Sequence, residues 1–376
     1  MKKSKKFQLN VLFILFLISL LQVGCAPSVV AQTSDSTIRW ADAQLQSSSW
    51  YEGKEAVRIA DNVLMYQHES GGWPKNLDMA SRLSEKEKER IKEEKKSEDS
   101  SLNEITIDNG ATVAQIRYLV KVYAATEQDR FKEGVLKGLD YLLEAQYDNG
   151  GWPQFYPLRD GYYENITYND GAMIRVMDTL RNVAKGESLY SFVDEARRQQ
   201  AADAINRGLR VILDTQVEVD GELTVWCAQY DPVTLRPAKA RSYELISLSG
   251  SESVGIVNYL MEIDNPSPEV ITAVKSAVAW FDKVKITDVR IVDVDRPELS
   301  EGYDQVIGFD PTGESLLWAR FYEIGTNYPM FVDREGTVHA AFSELPYERR
   351  INYLWLGDWA QNLLEKDYPN WLSRIQ

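Results

Sequence analysis

The chain has 376 residues, of which 44% are hydrophobic and 26% charged, a balance typical of globular proteins that excludes disordered and fibrous classes. Asp and Glu number 57 against 42 Lys and Arg, and this formal net charge of −15 argues against a nucleic-acid binder that works through overall charge. Only two His and two Cys are present, which disfavours a histidine-built zinc site, a Cys–His nucleophile pair and a disulfide scaffold.

The N-terminal residues 1–31 have the pattern of an export signal. Four lysines precede an apolar run from Val11 to Leu21, which is too short to span a bilayer comfortably. Two cleavage points stay open, one after Ala31 as for an ordinary signal peptide and one before Cys25 as for a bacterial lipoprotein. Both predict a bacterial protein that is secreted, periplasmic or anchored to the outer membrane by lipid, with no transmembrane segment in its mature form.

Residues 32–376 are predicted to form a single, mainly helical domain. Short β-like segments occur in its C-terminal third, at Ile286–Val294, Met330–Val332 and Thr337–Ala340. A run rich in Lys and Glu at about 81–99 predicts a solvated surface helix or insertion. Apolar residues recur at three- and four-residue spacing, which predicts helices, in Ala111–Tyr123, Phe131–Gln146, Ala172–Asn182, Phe192–Gln216, Glu252–Met261, Glu269–Val284 and Tyr347–Leu364.

An internal repeat is the strongest organisational signal. The segment Gln67–Pro74 contains Gly-Gly-Trp-Pro, and Gln146–Pro153 repeats it 79 residues later (glycines 71 and 150). A weaker third copy runs from Gln216 to Trp226. In each copy an amphipathic helix ends near a Gln, where glycine suits the positive φ of a helix terminus and proline prevents the helix from resuming. Three such helical hairpins around one axis predict an (α/α)3 toroid, an incomplete α/α barrel with its corners at one rim.

Two related sequences begin helices in successive hairpins. Asp108-Asn109-Gly110 precedes Ala111, and Asn169-Asp170-Gly171 precedes Ala172. One interpretation is N-capping, which Asp and Asn provide in many helices. The other is that these side chains converge on one rim. The oxygen ligands Asp108, Asn109 and Asp170, without His or Cys, would then suit Ca²⁺ rather than a transition metal.

Basic residues follow these turns in the sequence. Lys239 and Arg241 are the charged residues of Pro237–Tyr243, while Arg320 and Arg334 lie among aromatic residues. Taken singly, the first two are most simply explained by solvation, and the other two by pairing with structural acids such as Glu323 or Asp333. Together they indicate a local basic cleft, which can accept an anionic substrate in spite of the acidic total.

These motifs, taken in order, resemble polysaccharide lyase family 10, the pectate lyases. The resemblance covers essentially the whole mature chain from about Trp40. It implies an (α/α)3 toroid that cleaves de-esterified homogalacturonan (polygalacturonate) by Ca²⁺-dependent β-elimination and releases 4,5-unsaturated oligogalacturonides. The matching segments are both Gly-Gly-Trp-Pro corners, Thr106–Thr112, Tyr168–Met173, Pro237–Glu244, Ser247–Gly255 and Leu317–Arg334.

The resemblance also implies roles for individual residues. Arg241 is similar to the family's catalytic base, an unusual choice because a guanidinium normally stays protonated. The other implied roles are calcium binding for Asp108, Asn109 and Asp170, and binding of substrate carboxylates for Arg320 and Arg334, with Lys239 as a helper.

Two other functions are compatible with parts of the pattern. A non-catalytic glycan-binding surface lipoprotein would use the aromatic residues and would not need Arg241. A terpene cyclase has similar Gln-x-x-x-Gly-x-Trp corners in an α/α toroid, but the acidic sequence at 293–296 is a poor version of its catalytic motif. The expected partner is therefore a pectic polysaccharide rather than a nucleic acid, and a monomer is the working expectation.

Overall fold

The computed structural model describes residues 38–97 and 99–375, so the predicted export signal and both cleavage points lie outside the described residues. None of the helices in the described ranges is long and apolar enough to cross a membrane. The α-helices are α1 (Trp40–Ala43), α2 (Lys54–Tyr66), α3 (Glu85–Glu94), α4 (Val113–Thr126), α5 (Asp129–Glu144), α6 (Ala172–Lys185), α7 (Glu195–Asp214), α8 (Glu252–Met261), α9 (Pro268–Val284), α10 (Tyr347–Ile351) and α11 (Tyr368–Ile375).

The strands are short and pair in twos. A seven-residue hairpin has the antiparallel register Val289 with Phe309 and Asp295 with Tyr303. The other pairs are β1 with β4, β2 with β3, β5 with β9, β8 with β12 and β10 with β11. The strands are β1 (Ile166–Thr167), β2 (Glu218–Val219), β3 (Glu222–Leu223), β4 (Gln229–Tyr230), β5 (Leu248–Ser249), β6 (Val289–Asp295), β7 (Tyr303–Phe309), β8 (Trp318–Ala319), β9 (Phe321–Tyr322), β10 (Phe331–Val332), β11 (Val338–His339) and β12 (Leu356–Gly357).

The helices form the predicted incomplete toroid. The pairs α4–α5, α6–α7 and α8–α9 are helical hairpins, each formed by helices adjacent in sequence. Neighbouring α4, α6 and α8 pack along an inner layer, and α2, α5, α7 and α9 follow one another along an outer layer. Their apolar faces merge into one continuous core. Six of the seven predicted helices match α4 to α9 closely.

Each corner of the toroid is fixed by a buried tryptophan. The indole N–H groups of Trp73, Trp152 and Trp226 donate to main-chain carbonyls in the last turns of α2, α5 and α7, at 2.7, 2.8 and 2.7 Å. Carbonyls at a helix C-terminus lack an intrahelical partner, so these bonds satisfy groups that would otherwise be buried and unpaired. Gly71 and Gly150 share φ of 101°, and a Cβ on either would lie within 2.4 Å of a main-chain oxygen on the next outer helix.

The corner glutamines join successive outer helices. Gln67 Nε2 donates to the carbonyl of Gly71 within its own corner and to that of Gly134 on α5. Gln146 Nε2 donates in the same way to the carbonyls of Gly150 in its corner and Ala204 on α7. Gln216 Nε2 donates to the carbonyls of Thr224 in its corner and Ala273 on α9. The third copy of the repeat, weak in sequence, is therefore equivalent in structure.

A fourth corner is present that the sequence repeat does not show. Trp318 donates its indole N–H to the carbonyl of Phe281 in α9, at 2.9 Å. The Trp318 corner resembles the Trp226 corner in another contact. Four residues after each tryptophan stands a tyrosine, Tyr230 or Tyr322, whose hydroxyl accepts a hydrogen bond from a main-chain N–H of the same segment. The β6–β7 hairpin separates α9 from Trp318, and no Gln follows α9 as it follows the other outer helices, although Gly313 (φ 66°) precedes Trp318 as Gly221 (φ 83°) precedes Trp226.

Short extended segments connect the four corners across the rim. Pro74 pairs with Ile105, Thr106 with Phe155, and Pro153 with Ile166 of β1, which continues to β4. A second series joins Trp226 to Ser249 of β5, then β5 to β9. The segment after each tryptophan is therefore held by main-chain hydrogen bonds to its neighbours, and the side chains that leave it have fixed origins.

The predicted helix Tyr347–Leu364 is wrong in its middle. Helix α10 ends at Ile351, and Leu356–Gly357 pairs with β8 instead of continuing the helix. Helical structure resumes only before the π-helical turn Leu363–Asp367. The apolar spacing in this stretch arises from burial of Trp355 and Leu356 against β8 and β9 rather than from a helix face.

The charged run at 81–99 contains α3. Ser84 and Glu87 form a capping box at its N-terminus, and pairs such as Arg90–Glu94 lie along its solvent face. One buried residue, Ile91, fixes the helix to the rest of the protein.

The hydrogen bonds of the corner tryptophans are expected to contribute measurably to the free energy of unfolding. We expect Trp152→Phe to lower the free energy of unfolding by about 1–2 kcal/mol more than Trp371→Phe, because only the first change leaves a buried carbonyl unsatisfied. Trp371 is the matched control, since it is equally buried and its indole nitrogen has no hydrogen-bond partner. Urea unfolding measures both values, and equal losses would contradict the anchoring role of the corner bond.

Candidate active site

Two tight turns at the rim carry the predicted metal ligands. Asp108–Gly110 and Asn169–Gly171 are single 3-10 turns that lie against each other. Asn109 (φ 51°) and Asp170 (φ 50°) hold the left-handed position in their turns, so Asp170 is equivalent to Asn109 and not to Asp108.

The N-capping interpretation of these turns is wrong. Thr112 and Gly171 occupy the cap positions of α4 and α6, and neither cap is made through a side chain. Both aspartates are therefore available for other contacts.

Asp108 has a buried carboxylate, and only one of its two oxygens accepts a hydrogen bond. Its Oδ2 accepts a hydrogen bond from Lys75 Nζ at 2.5 Å. Its Oδ1 is buried and has no hydrogen-bond partner. An ionised carboxylate oxygen left unpaired in the interior is costly, so this atom is suited to accept a further cation or donor.

Asp170 belongs to a second ion-pair group. Arg320 Nη2 lies 3.1 Å from Asp170 Oδ1 and 2.6 Å from Glu252 Oε1. The Arg320 and Glu252 side chains are only 11% and 2% exposed, so Glu252 holds the guanidinium from beneath while Asp170 meets it at the rim. Burial acts to lower the pKa of Arg320, but the carboxylates, Glu252 foremost, outweigh it and raise that pKa overall.

Lys75 and Arg320 hold equivalent places in the fold. Each stands two residues after a corner tryptophan, Trp73 and Trp318 respectively, and each pairs with an aspartate of a rim turn. Sequence reasoning missed Lys75. Lys75 could have been predicted from the position of a basic residue two places after a corner tryptophan. This spacing is common to Trp73-Pro74-Lys75 and Trp318-Ala319-Arg320.

Arg241 is bound to a buried carboxylate. Its Nε lies 2.8 Å from Glu244 Oε2, and its Nη2 contacts the other oxygen of the same group. Glu244 also accepts a hydrogen bond from the Tyr353 hydroxyl at 3.0 Å. This bidentate contact raises the pKa of Arg241, so the resting guanidinium is firmly protonated.

Tyr353 connects Arg241 to the Arg320 group. The Arg320 guanidinium lies over the Tyr353 ring, 5.1 Å from its centroid, while the hydroxyl of the same ring bonds to Glu244. Neither Glu244 nor Tyr353 was predicted as a site residue. Tyr353 is 109 residues from Glu244 in sequence, and no local pattern links the two.

Arg334 reaches the same region from a different loop. The Tyr243 ring lies under Arg241 at 5.0 Å and under Arg334 at 6.0 Å. Arg334 is exposed and pairs with the exposed Glu348. Beneath them, the buried Arg349 lies 4.2 Å from the Tyr243 centroid, and burial lowers the pKa of this arginine.

The structure separates two predicted residues from these contacts. The Lys239 side chain is exposed and makes no ion pair with any residue in the described ranges, although its main-chain carbonyl accepts from Asn165 at 3.2 Å. Asn109 is exposed and donates to Asn76 at 3.0 Å, and does not contact Asp108 or Asp170 through its side chain. Their roles remain predictions.

The carboxylates at the rim fit a cation only in part. No group of three or more His, Cys, Asp or Glu side chains within residues 38–97 and 99–375 is placed to hold a metal ion. The guanidinium of Arg175 lies against both turns, close to Gly110 and Gly171, so with Lys75 and Arg320 the cationic side chains at the rim equal Asp108, Asp170 and Glu252 in number. The feature that favours a bound cation is therefore the unpaired Asp108 Oδ1, and the remaining ligands would come from elsewhere.

Comparisons with known proteins identify the family of this chain. A family profile described as pectic acid lyase matches residues 67–364. A solved structure of a family 10 polysaccharide lyase from Cellvibrio cellulosa is 32% identical, with a TM-score of 0.73 and coverage of 89% of this chain and 94% of that one. An Asp-to-Ala mutant of such a lyase from Cellvibrio cellulosa, in complex with trigalacturonic acid, has the same identity and TM-score, with coverage of 89% and 95%. No curated protein gives a significant match.

The buried and exposed ion pairs predict different energetic consequences. We expect Glu252→Gln to lower the free energy of unfolding by about 3 kcal/mol, because it leaves Arg320 buried with a single, rim-exposed carboxylate. The matched control Glu348→Gln, which removes the exposed partner of Arg334, should cost about 1 kcal/mol or less. Denaturant unfolding of both variants measures the difference, and similar values would mean that Glu252 does not hold Arg320.

Proposed function

The chain belongs to the pectic acid lyase family, as a family 10 polysaccharide lyase, and we propose that it cleaves polygalacturonate by calcium-assisted β-elimination at the rim described above. Pectate lyase activity follows from the family. The observation that supports the mechanism is the pair of rim aspartates, Asp108 and Asp170, which lie beside a cluster of arginines. Each forms an ion pair with a basic side chain, and Asp108 keeps one carboxylate oxygen without a hydrogen-bond partner. A homologous lyase has been solved with trigalacturonic acid, which supports a galacturonate polymer as the substrate.

The difficulty of the reaction lies in the proton that must be removed. The C5 proton of galacturonate is next to a carboxylate, and it is scarcely acidic while that carboxylate carries its full charge. A bound Ca²⁺ supplies the charge withdrawal that stabilises the enolate-like state. When the C5 proton leaves, its electron pair forms the C4–C5 double bond, the C4–oxygen bond breaks, and the departing sugar oxygen takes up a proton.

Asp108 and Asp170 are proposed to hold the cation. Asp108 offers its unpaired Oδ1, and Asp170 offers the oxygens that it shares with Arg320 and Asn169. Because these are only two carboxylates and both already have a cationic partner, we infer that the substrate carboxylate completes the site. Asn109 donates to Asn76 through its Nδ2, so its Oδ1 is the atom that would serve as a further oxygen ligand.

Arg241 is proposed as the base. Only its neutral form can accept the C5 proton, and in the resting site Glu244 holds it in the charged form. We therefore infer that substrate binding changes this contact, when the cation and neighbouring arginines place further positive charge around Arg241 and disfavour its protonated form. The fraction of neutral Arg241 rises with pH, so the rate is expected to increase into the alkaline range.

The other basic residues are proposed to bind the substrate or to orient Asp170. Arg334 and Lys239 have exposed charged groups that can meet substrate carboxylates directly. Arg320 is engaged by Glu252 and Asp170 and is mostly buried, so its main proposed task is to orient Asp170. This limits the substrate-binding role that the family resemblance implies for Arg320.

The site of action is proposed from the N-terminal sequence. Residues 1–31 form an export signal, so the single lyase domain acts outside the cytoplasm, where a pectic polymer is accessible. Cleavage after Ala31 would release it, and cleavage before Cys25 would anchor it by lipid.

Metal dependence can be tested by product formation. We expect the purified mature protein to release products with the ultraviolet absorbance of a 4,5-unsaturated uronate from polygalacturonate in buffer with Ca²⁺. Chelation with EDTA should abolish the signal, and excess Ca²⁺ should restore it. No absorbing product at mildly alkaline pH would reject the lyase mechanism, and full activity in EDTA would reject the cation.

The base assignment is tested with a variant pair. We expect Arg241→Ala to lower kcat by about 10²–10⁴-fold, the usual contribution of a general base. Arg236→Ala, in the same loop and also exposed, is the matched control and should keep kcat within about twofold. If Arg241→Ala retained more than a tenth of the wild-type kcat, Arg241 would not be the base.

A further inference from the structure

A second basic and aromatic cluster lies on the rim beside the reaction centre. The Arg159 guanidinium lies 5.3 Å from the centroid of Phe155 and 4.5 Å from that of Tyr163. Tyr163 in turn packs on Tyr162, with centroids 4.0 Å apart. We name Phe155, Arg159, Tyr162 and Tyr163 the Arg159 cluster; none of its members belongs to the motifs from which the site was predicted.

The Arg159 cluster is continuous with the site on the Asp108 side. Lys75 Nζ, which bonds to Asp108, lies 5.4 Å from the centroid of the same Phe155 ring that Arg159 covers. Phe155 is fixed there because its segment pairs with Thr106, two residues before Asp108. Lys75, which bonds to Asp108, and Arg159 therefore contact one and the same aromatic ring.

The cluster also approaches the Arg241 side. Asn165, just after the cluster, donates to the Lys239 carbonyl at 3.2 Å, which joins this loop to the segment that leads to Arg241. Burial raises the pKa of Tyr162, and the nearby charges of Arg241 and Glu244 also act on it. The loop that carries Arg159 thus borders the reaction centre along two sides.

Arg159 is available for a ligand. Its side chain is 44% exposed, and its ion-pair partner is Glu104, at 3.3 Å and 52% exposed. A solvated pair of this kind contributes little to stability, so exchange of Glu104 for another carboxylate is inexpensive. The guanidinium is already oriented by two aromatic rings, and an oriented arginine can bind a carboxylate through two parallel hydrogen bonds.

We propose that the Arg159 cluster is a distal subsite that binds the carboxylate of a galacturonate unit outside the reaction centre, against the rings of Tyr162 and Tyr163. The proposal rests on the proposed function, because a polymer of repeating carboxylates is the ligand that would occupy both places at once. It makes Arg159 a residue that selects for chain length and takes no part in proton transfer.

The test compares long and short ligands by calorimetry. In an Arg241→Ala background, hexagalacturonate and digalacturonate, which fills only the two units about the scissile bond, are titrated in buffer with Ca²⁺. Adding Arg159→Ala should raise the Kd for hexagalacturonate about fivefold, while the Kd for digalacturonate changes less than twofold. The ultraviolet absorbance of unsaturated products is followed during each titration, and only titrations that form no product are used, so the readout is binding alone.

The matched control is Arg130→Ala in the same background. Arg130 is also exposed, pairs with Asp61 and lies over a phenylalanine ring, but it sits at the start of α5, at the opposite end of the helix from the corner. An unchanged Kd for hexagalacturonate in Arg159→Ala, or an equal rise for both oligomers, would overturn the distal subsite. A hexagalacturonate-specific rise in Arg159→Ala that Arg130→Ala does not show would support it.

Discussion

The fold depends on one interaction repeated four times, the bond from a corner tryptophan to a carbonyl in the last turns of the helix before it. Because the C-terminal carbonyls of a helix need partners outside the helix, a fully buried helix end requires a donor that can reach it from the next segment. The indole N–H of Trp73, Trp152, Trp226 and Trp318 fills this need. Each of these bonds also fixes the position of the segment after the tryptophan relative to the helix before it.

The chemistry of the site follows from that constraint. Two residues after the tryptophan, the chain is held by neighbouring extended segments, so Lys75 and Arg320 start from fixed points and meet Asp108 and Asp170. Glu252 stabilises Arg320 from the interior, and Glu244 holds Arg241 through a carboxylate that Tyr353 also contacts. The resting site is thus a network of paired charges that an anionic substrate and a cation would rearrange. The net charge of −15 is a property of the whole surface and does not describe this cleft.

Much of this could be predicted from sequence where the signal is local. Six helices follow from apolar periodicity, two corners from Gly-Gly-Trp-Pro and a third from the weaker copy Gln216–Trp226, because helix faces and helix ends are encoded within a few residues. The fourth corner was missed because no Gln follows α9 and a long hairpin separates that helix from Trp318. The helix predicted over 347–364 was wrong because pairing of Leu356 with β8 overrides its helical spacing. Lys75 and Tyr353 were missed because their partners lie 33 and 109 residues away and the contacts depend on tertiary structure. Glu244 is only three residues from Arg241, but its pairing depends on the loop conformation and on its burial, which no local pattern indicates.

The most direct test of the account is the coupling between metal and substrate in the Arg241→Ala protein. In the proposed mechanism Asp108 and Asp170 hold the cation, each is already paired with a basic side chain, and the substrate carboxylate completes the metal site. Calorimetry should therefore show that Ca²⁺ binds at least about tenfold more tightly when trigalacturonate is saturating, and trigalacturonate should gain the same factor from saturating Ca²⁺. If the Ca²⁺ affinity is the same with and without trigalacturonate, the two ligands do not share a site and the account is wrong.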